Sequence, residues 1–359
     1  MQPKIGIIYL CYGMKEYLTP VLEAIAKLDY PKDRLLLLLV PAGSPDGVAE
    51  QIKTDVLPRS GKDLPETVLL DDGQNRGFAG NNNLAFRYAL AHECDHVFLH
   101  NGDLRLAPDS MTEAVRVAES VPEIASVQML VRFWHTPEKV NVSGGMIHIA
   151  GYGFARDNGV LLSDIHVTDG EDIAYASGAA TLYKASALRK VGLLEEGFFM
   201  YHEDLELGMR LRFAGYRNVL ATHAFAFHDY HFSRNPKKFA WMELYRNLVV
   251  LSYYRWRTLF VFLPLLSAIE LGTWFMALRG GWFRAKLWAF GQWFLPRTWK
   301  LLFAMRTRAQ RLRAIPDKEF LSFVTGKIEA QEVANPLMEK QINPAVQAAF
   351  VAGRKMISW

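Results

Sequence analysis

The sequence predicts an α/β protein: a domain on a mostly parallel central sheet over residues 1–250, followed by a hydrophobic and basic helical region. Three observations carry this expectation. Short apolar runs alternate with helical periodicities from residue 4 onward, the chain is 50% hydrophobic and 22% charged, and its composition changes abruptly near residue 250. Such apolar content excludes a largely disordered chain, and the varied residue usage excludes collagen-like and coiled-coil architectures.

KIGIIYL (4–10) and LLLLLV (35–40) are short apolar runs bounded by Gly or Pro, which suits buried strands. Between them, residues 17–28 place Leu18, Val21, Leu22, Ile25 and Ala26 at helical spacing. Strand, helix and strand make the unit that builds a parallel sheet. The pattern repeats: VLLDD (68–72) reads as strand, 82–92 as helix, HVFLH (96–100) as strand and, after the turn NGDLRL, 108–119 as helix. Residues 120–180 are richer in Gly, Val and Ile and read as further strands and loops, of which YASGAATLY (175–183) is the clearest strand, with a helix at 184–191. Helical spacing returns over 203–213, and Gly215 stands where a helix C-cap belongs.

A chain of 359 residues suits one large domain or two modest ones. Its two cysteines, Cys11 and Cys94, can make neither a disulfide framework nor a four-thiolate zinc site, which points to a reducing, cytosol-facing catalytic part. The apolar stretch at the N-terminus is short and no small-residue cleavage site follows it, so it reads as a first strand rather than a signal peptide. Net charge is +4, yet residues 271–316 hold nine basic side chains and no acidic one; subtracting those nine from +4 leaves −5 elsewhere. The basic character belongs to one segment, and no nucleic-acid partner is expected.

Residues 259–278 carry one charge, Glu270, in 20 positions, long enough to span a bilayer. Arg255 and Arg257 precede this stretch and the basic block follows it, so both flanks claim the cytoplasmic side. Residues 282–305 are aromatic and basic together, the composition of a helix in the headgroup region. A re-entrant or interfacial helical hairpin satisfies both flanks better than one crossing, and a membrane-associated region at 251–316 follows, on the cytoplasmic face of the cell membrane. The alternative use of this surface is a homo-oligomer interface. The tail, 317–359, reads as helical and polar and either packs back on the catalytic domain or mediates association.

Several side chains invite chemistry. Asp103 lies just beyond an apolar strand, where open parallel sheets bind ligands and where a divalent cation can share a carboxylate with substrate phosphates; an ordinary N-G-D turn reads the same way. Glu203 and Asp204 open a helix, either complementing its dipole or offering a general base to an acceptor hydroxyl. His223, His228 and His231 cluster around Asp229 without an H-E-x-x-H or a cysteine pair, so one of them completes an Asp103 site or all of them pack. GFAG (77–80), ahead of a helix, offers backbone N–H groups to a phosphate, although it is neither G-x-G-x-x-G nor a Walker loop. No G-x-S-x-G anchors hydrolase chemistry, and Phe225, Phe227, Tyr230 and Phe232 alternate as packing residues of a strand do.

In this order the motifs resemble family 2 of the inverting glycosyltransferases, with the GT-A (Rossmann-like) fold, and especially its rhamnosyltransferase-like branch. IIYLCYG is similar to the family's opening strand and P-T-Y-N-type turn. Gly77-Phe78-Ala79-Gly80-Asn81-Asn82-Asn83 matches G-F-A-G-G-N-N, with Asn81 in place of a Gly, and Asn101-Gly102-Asp103 matches the N-x-D form of D-x-D. The long pattern from S-G-A through F-F-x-Y-x-E-D-x-[DE]-L-x-x-R-L-x-x-A-G-Y is similar to 177–216 almost throughout. The resemblance covers residues 4–250 and implies that Leu10, Cys11, Tyr12, Gly13, Phe78, Ala79, Asn82, Asn101, Gly102 and Asp103 line the site of a nucleotide-diphosphate sugar donor. It further implies Mg²⁺ or Mn²⁺ on Asp103 and His228, Asp204 as base and Glu203 beside it positioning the acceptor or the base. The expected reaction is inverting transfer to a hydroxyl of a glycan or lipid-linked acceptor in cell-surface polysaccharide biosynthesis.

One departure stands out. Where the family has an Asp after the second strand, this chain has Pro41, which offers neither a carboxylate nor an N–H; Asp71 or Asp72 is the substitute within reach. Two alternatives accompany the main reading: a polyprenyl-phosphate glycosyltransferase, whose anionic acceptor needs no base, and a degenerate, non-catalytic scaffold or sugar-nucleotide sensor.

Overall fold

The computed structural model describes residues 2–231, 235–328 and 338–359. The chain opens as β1 (Ile5–Leu10), α1 (Lys15–Ala26), β2 (Leu35–Val40), α2 (Val48–Gln51), β3 (Glu66–Leu69), α3 (Gly77–Ala91) and β4 (His96–His100). These four strands lie parallel in the order β3-β2-β1-β4, with Ile5 opposite both Leu35 and His96. The unbroken run LLLLLV is buried at every position of β2, as a strand covered on both faces requires.

The chain continues through β5 (Leu104–Leu106), α4 (Ser110–Ala118), β6 (Ile124–Phe133), β7 (Val140–Val142), β8 (Gly145–His148), β9 (Gly153–Ala155), β10 (Ala180–Lys184), α5 (Ala185–Val191), α6 (Glu203–Phe213) and β11 (Arg217–His228). The full sheet runs β3-β2-β1-β4-β10-β6-β11-β5, with β7 paired to β6. Six of the strands in that row point one way; β10 and β5 oppose them. The C-terminal ends of β1, β2, β3, β4, β6 and β11 therefore open on one edge, and the sequence motifs lie there.

Two expected elements shift for local reasons. Of the strand expected over 175–183, Tyr175 makes only an isolated bridge to Gly145 and the chain turns at Gly178–Ala179 before β10, because Ser177 N–H donates to Gln128 Oε1 (2.8 Å) and Gly178 N–H to Asp204 Oδ2 (3.0 Å). Side-chain acceptors capture donors that a ladder would have used. α3 starts at Gly77, ahead of the expected 82, because Asn75 Oδ1 accepts the Gly77 N–H at 2.9 Å and Asn81 Oδ1 the Arg76 N–H at 3.3 Å.

The remainder is helical: α7 (Pro236–Tyr253), α8 (Trp256–Arg279), α9 (Phe283–Gly291), α10 (Pro296–Leu312), α11 (Asp317–Phe320), the short β12 (Val324–Thr325) and α12 (Asn343–Lys355). Residue 250, the expected division, falls inside α7, and one core joins Phe198, Leu205 and Met209 to Leu248, Phe262, Leu302 and Phe350. The described part of the tail packs back: β12 pairs with β8, the Phe262 and Phe350 rings stack at 5.7 Å, and Trp359 Nε1 donates to Thr258 Oγ1 at 2.8 Å. Residues 329–337 of that tail lie outside the described residues. The aromatic, basic stretch expected as one helix at 282–305 is two helices, separated at Gln292–Phe294 and restarted by Pro296, whose missing N–H suits a first turn.

α8 is 24 residues long and, among the described residues, the only helix long and apolar enough to cross a membrane. Its single acid faces inward. Glu270 meets Arg246 of α7 at 2.5 Å and Lys286 of α9 at 2.8 Å, and both cations also hold the buried Glu243. Burial alone would raise Glu243, but Arg246 and Lys286 outweigh it and hold the carboxyl down at about 2. The nine-residue basic block thus divides: Lys286, Arg306, Arg308 and Arg313 turn into the protein, whereas Arg279, Arg284, Arg297, Lys300 and Arg311 are exposed.

Gly77 has φ +75°, and a Cβ there would collide with the Phe199 carbonyl oxygen. Gly77→Ala is expected to lower stability by about 1–3 kcal/mol and to displace the loop before α6; thermal unfolding and hydrogen exchange over 199–204 measure both.

Candidate active site

Three segments meet at the open edge of the sheet. After β1, Cys11 is fully buried and its N–H donates to Val40 O at 2.9 Å; Leu10 is half-buried, and Tyr12 and Gly13 are exposed. Gly13 N–H donates to Ser44 Oγ (2.9 Å), Ser44 donates to Asp46 Oδ1 (2.8 Å), and Lys15 N–H donates to Asp46 Oδ2 (3.1 Å). The Asp46 carboxylate thus knits the loops after β1 and β2 together, and these hydrogen bonds hold it below its ordinary value against burial, which alone would raise it.

The Asn101-Gly102-Asp103 turn, after β4, is fixed at every residue. Asn101 N–H donates to Ala179 O (2.9 Å), Tyr9 OH donates to Gly102 O (3.1 Å), and Asp103 O accepts from Asp229 N–H (3.0 Å). A Cβ at Gly102 would strike the Met14 side chain and crowd the Leu10 carbonyl oxygen, so glycine lets the turn lie close against the first loop. Asp103 Oδ1 stands 3.0 Å from His228 Nε2, and Asn101 Nδ2 lies 3.1 Å from both. His228 Nδ1 donates to Asn141 Oδ1 at 2.9 Å, which leaves Nε2 as an acceptor. Two acceptors facing one another, one carboxylate oxygen and one imidazole nitrogen, fit a divalent cation. Among the described residues no group of three or more His, Cys, Asp or Glu makes a closed cage. An open pair of this kind leaves positions for phosphate oxygens and water.

Opposite lies the start of α6. Tyr201 and His202 both have left-handed backbones (φ 71° and 70°), and buried His202 Nε2 donates to Gly151 O at 3.0 Å. Burial lowers His202 to about 4, so it serves there as a neutral donor. The kink directs Glu203 inward, where it is 5% exposed and its Oε2 has no protein partner. Asp204 accepts from Gly178 N–H (3.0 Å) and Leu205 N–H (2.7 Å). Burial raises both carboxyls above their ordinary values, Glu203 further because the Asp204 charge adds to it, while the backbone donors restrain Asp204. Ionising both carboxyls at once is thus disfavoured, and Asp204 is the readier of the two to carry the charge.

The third element at this edge is GFAG, the first turn of α3. Phe78 N–H donates to Phe199 O (2.7 Å), and the Phe78 ring lies beside Gly178, next to Asp204. Ala79 and Asn82 are fully buried; Asn82 Nδ2 donates to Phe78 O (2.9 Å), while its Oδ1 has no protein partner. Among the expected site residues, Cys11, Ala79 and Asn82 thus lie beneath the surface, whereas Tyr12, Gly13, Phe78, Asp103 and Asp204 reach solvent.

The histidine cluster separates. His223 is exposed at the bulge in β11, and His228 alone faces Asp103; His231 and His135 flank Asp229 at 3.2 Å each. Phe225 and Phe227 lie on β11 against Arg132, Tyr230 stands beyond the strand near the His228 ring, and Phe232 lies outside the described residues. Beside Pro41, β2 and β3 pair Leu39 with Leu69, and Leu70 N–H still donates to Leu39 O (2.8 Å), which carries Asp71 alongside Pro41. Asp72 is taken by Arg76. Asn141 and Gln128, which orient His228 and the 177–179 turn, carry no motif; their neighbours VNV and SVQM read only as strand.

A curved α/β sheet with these loops on one edge and a helical C-terminal part is a GT-A-like fold. The chain superposes over its full length on 88% of a Pyrobaculum calidifontis mannosyltransferase solved with GDP-Man and Mn²⁺ (TM-score 0.52, 15% identity). It superposes over 98% of its length on 89% of Staphylococcus aureus TarS 1-349 solved with UDP-GlcNAc (TM-score 0.51, 14% identity). The chain belongs to the family 2 glycosyltransferases: the profile described as "Glycosyltransferase like family 2" matches residues 3–247. An N-acetylglucosaminyl-diphospho-decaprenol L-rhamnosyltransferase of Mycobacterium tuberculosis is 26% identical over 199 residues, 50% of this chain and 65% of that relative. The low-salt glycan biosynthesis hexosyltransferase Agl10 of Haloferax volcanii is 26% identical over 153 residues, 40% of this chain and 45% of that relative. The matches therefore span less than two thirds of either relative.

A carboxyl raised by folding gives stability that is full below its unfolded value and is lost as pH rises through the folded one. Glu203→Gln is therefore expected to unfold at a higher temperature than the wild type at neutral pH, with the difference closing as pH falls toward the ordinary value of 4.5. Thermal melts across pH measure it; a difference that does not vary with pH excludes a raised Glu203.

Proposed function

We propose that this protein is a metal-dependent inverting glycosyltransferase that moves a sugar from a nucleotide-diphosphate donor to a hydroxyl of a glycan or lipid-linked acceptor, in the building of cell-surface polysaccharide. The observation that carries the proposal is that consecutive residues hold the two halves of the site: Gly178 N–H binds the Asp204 carboxylate and Ala179 O binds the Asn101 N–H of the N-G-D turn. Asp103 and His228 would hold Mg²⁺ or Mn²⁺, which when bound would supply charge to offset that of a leaving diphosphate. Asp204 takes the acceptor proton as the acceptor oxygen attacks the anomeric carbon from the face opposite the nucleotide, and Glu203 beside it positions the acceptor or the base. Leu10, Tyr12, Gly13, Phe78 and Asn101–Asp103 line the donor side, while Cys11, Ala79 and Asn82 shape it from beneath. Asp71 stands in for the carboxylate that Pro41 lacks, toward the ribose or base.

The proposed location is the cytoplasmic face of the cell membrane. Two facts support it: 17% of the most apolar stretch of α8 is buried, where a soluble core helix would be mostly buried, and the mycobacterial relative is named for a decaprenol-linked acceptor.

Two sets of variants test these roles. Asp103→Ala is expected to abolish metal-dependent binding of nucleoside diphosphate in calorimetric titration, and Asp204→Asn to lower turnover by about 10²–10⁴-fold with nucleotide binding intact. Near-normal turnover of Asp204→Asn removes the base assignment and favours an acceptor that is already an anion. Wild-type activity is expected to decline as pH falls through the raised Asp204 value, above the ordinary carboxylate range. Asp71→Ala is expected to weaken nucleotide binding about tenfold, a loss of one charge-assisted hydrogen bond, while Asp72→Ala leaves it unchanged.

A further inference from the structure

We infer that α8, α9 and α10 form an in-plane seat that rests on one leaflet of an anionic bilayer, and that α8 does not cross it. The inference rests on the membrane association proposed above and adds its geometry. At about 1.5 Å per residue the 24 residues of α8 run about 36 Å, long enough for either arrangement. What decides between them is the other face of the helix. Thr258, Leu259, Phe262, Thr273 and Ala277 are buried along its whole length, and Glu270 is bound to Arg246 and Lys286. Phe262 stacks on Phe350 near one end, and Trp274 meets Phe283 and Phe290 of α9 near the other. Protein thus flanks α8 from end to end, and its partner α7 also carries buried charge. A crossing would take Glu243, Arg246 and Lys286 into hydrocarbon with it, which the bilayer strongly disfavours.

The opposite stripe has no protein cover. Phe260 and Leu271 are each 71% exposed, with Leu263, Phe275 and Leu278 on the same helical face. It continues onto the neighbouring helices, since Phe290 packs edge-on against both Trp274 and Phe294, and Phe294 is itself 75% exposed. Patches this extensive mark an interaction surface. Charge selects the occupant. Arg279, Arg284, Arg297, Lys300 and Arg311 are exposed around these helices, and none has a carboxylate within ion-pairing distance among the described residues. A second copy of the same basic face would meet like charge, whereas anionic headgroups complement it while the aromatic side chains enter the interface. α7 connects this seat to the catalytic loops: Trp241 packs on Phe199 and Tyr201, Phe239 stacks on Trp282, and Glu243 binds Lys286. Docking on a leaflet therefore sets the height of the α6 N-terminus above the membrane.

The test uses the full chain in flotation with phosphatidylcholine vesicles, with and without phosphatidylglycerol. Flotation is expected with the anionic vesicles, at least about tenfold weaker without them and falling with added salt. Arg284→Glu/Lys300→Glu is expected to weaken it similarly while nucleoside diphosphate binding stays at wild-type strength. Single-cysteine variants at Arg257 and Arg279, the two ends of α8, report topology against a background of two buried native thiols. Both are expected to react with a membrane-impermeant maleimide added outside, while a dye at Leu271→Cys shifts to an apolar environment on binding. Flotation with one end protected overturns the in-plane seat but keeps membrane association. No flotation, with a concentration-dependent dimer in light scattering, overturns both and assigns the face to a second copy. Loss of nucleotide binding by the wild-type chain would instead count against the glycosyltransferase reading alone.

Discussion

The site depends on a turn of three residues. Ser177, Gly178 and Ala179 give up regular strand geometry so that one N–H can reach Gln128, the next the Asp204 carboxylate, and the following carbonyl the Asn101 N–H. Asp204 sits on α6, Asn101 follows β4, and Gln128 lies in β6, elements far apart in sequence. Backbone groups have no rotamers to lose, so a backbone bridge fixes the separation between the Asp204 carboxylate and the N-G-D turn more tightly than long side chains could.

Around that turn the protein tolerates local strain. Two successive non-glycine residues, Tyr201 and His202, adopt left-handed backbones, each costing about 1–3 kcal/mol. The surrounding contacts overdetermine them. His202 is locked to Gly151, Phe199 N–H accepts no freedom because Tyr245 OH holds it at 3.0 Å, and Gly77 brings α3 directly beneath Phe199. The same kink that spends this energy turns Glu203 inward, where burial and the neighbouring Asp204 charge raise its carboxyl further than that of Asp204.

The C-terminal helices are not an appendage to this arrangement. Glu206, one turn beyond the pair, is fully buried; burial alone would raise it, but Arg210 and Arg308 outweigh that, and Tyr253 OH donates to it at 2.6 Å. α10 and α7 thereby grip α6 through a buried charge network, and a second network ties α7 to α8 and α9. Removing one member of such a network leaves an uncompensated charge, which is costly, so the helices and the sheet domain hold their mutual placement.

The sequence by itself determined the elements whose information is local. Apolar runs bounded by turn residues marked β1, β2 and β4, helical spacing marked α1 and α6, and the family motifs were dense enough to resemble family 2 glycosyltransferases, to which the chain belongs. The ionic partners of Glu270 were not legible, because Arg246 and Lys286 stand on other helices, and neither was the splitting of the basic block into inward and outward sets. Nor could periodicity reveal that residues 176–179 lie outside the strand: their neighbours favour one, and only the arrival of Gln128 and Asp204 offers the Ser177 and Gly178 N–H groups other acceptors. The same holds for Asn141, which sets the tautomer of His228 from a separate strand. Local spacing encodes which face of an element is apolar; which polar groups meet across elements is decided by packing, since only there do buried donors and acceptors have to find one another.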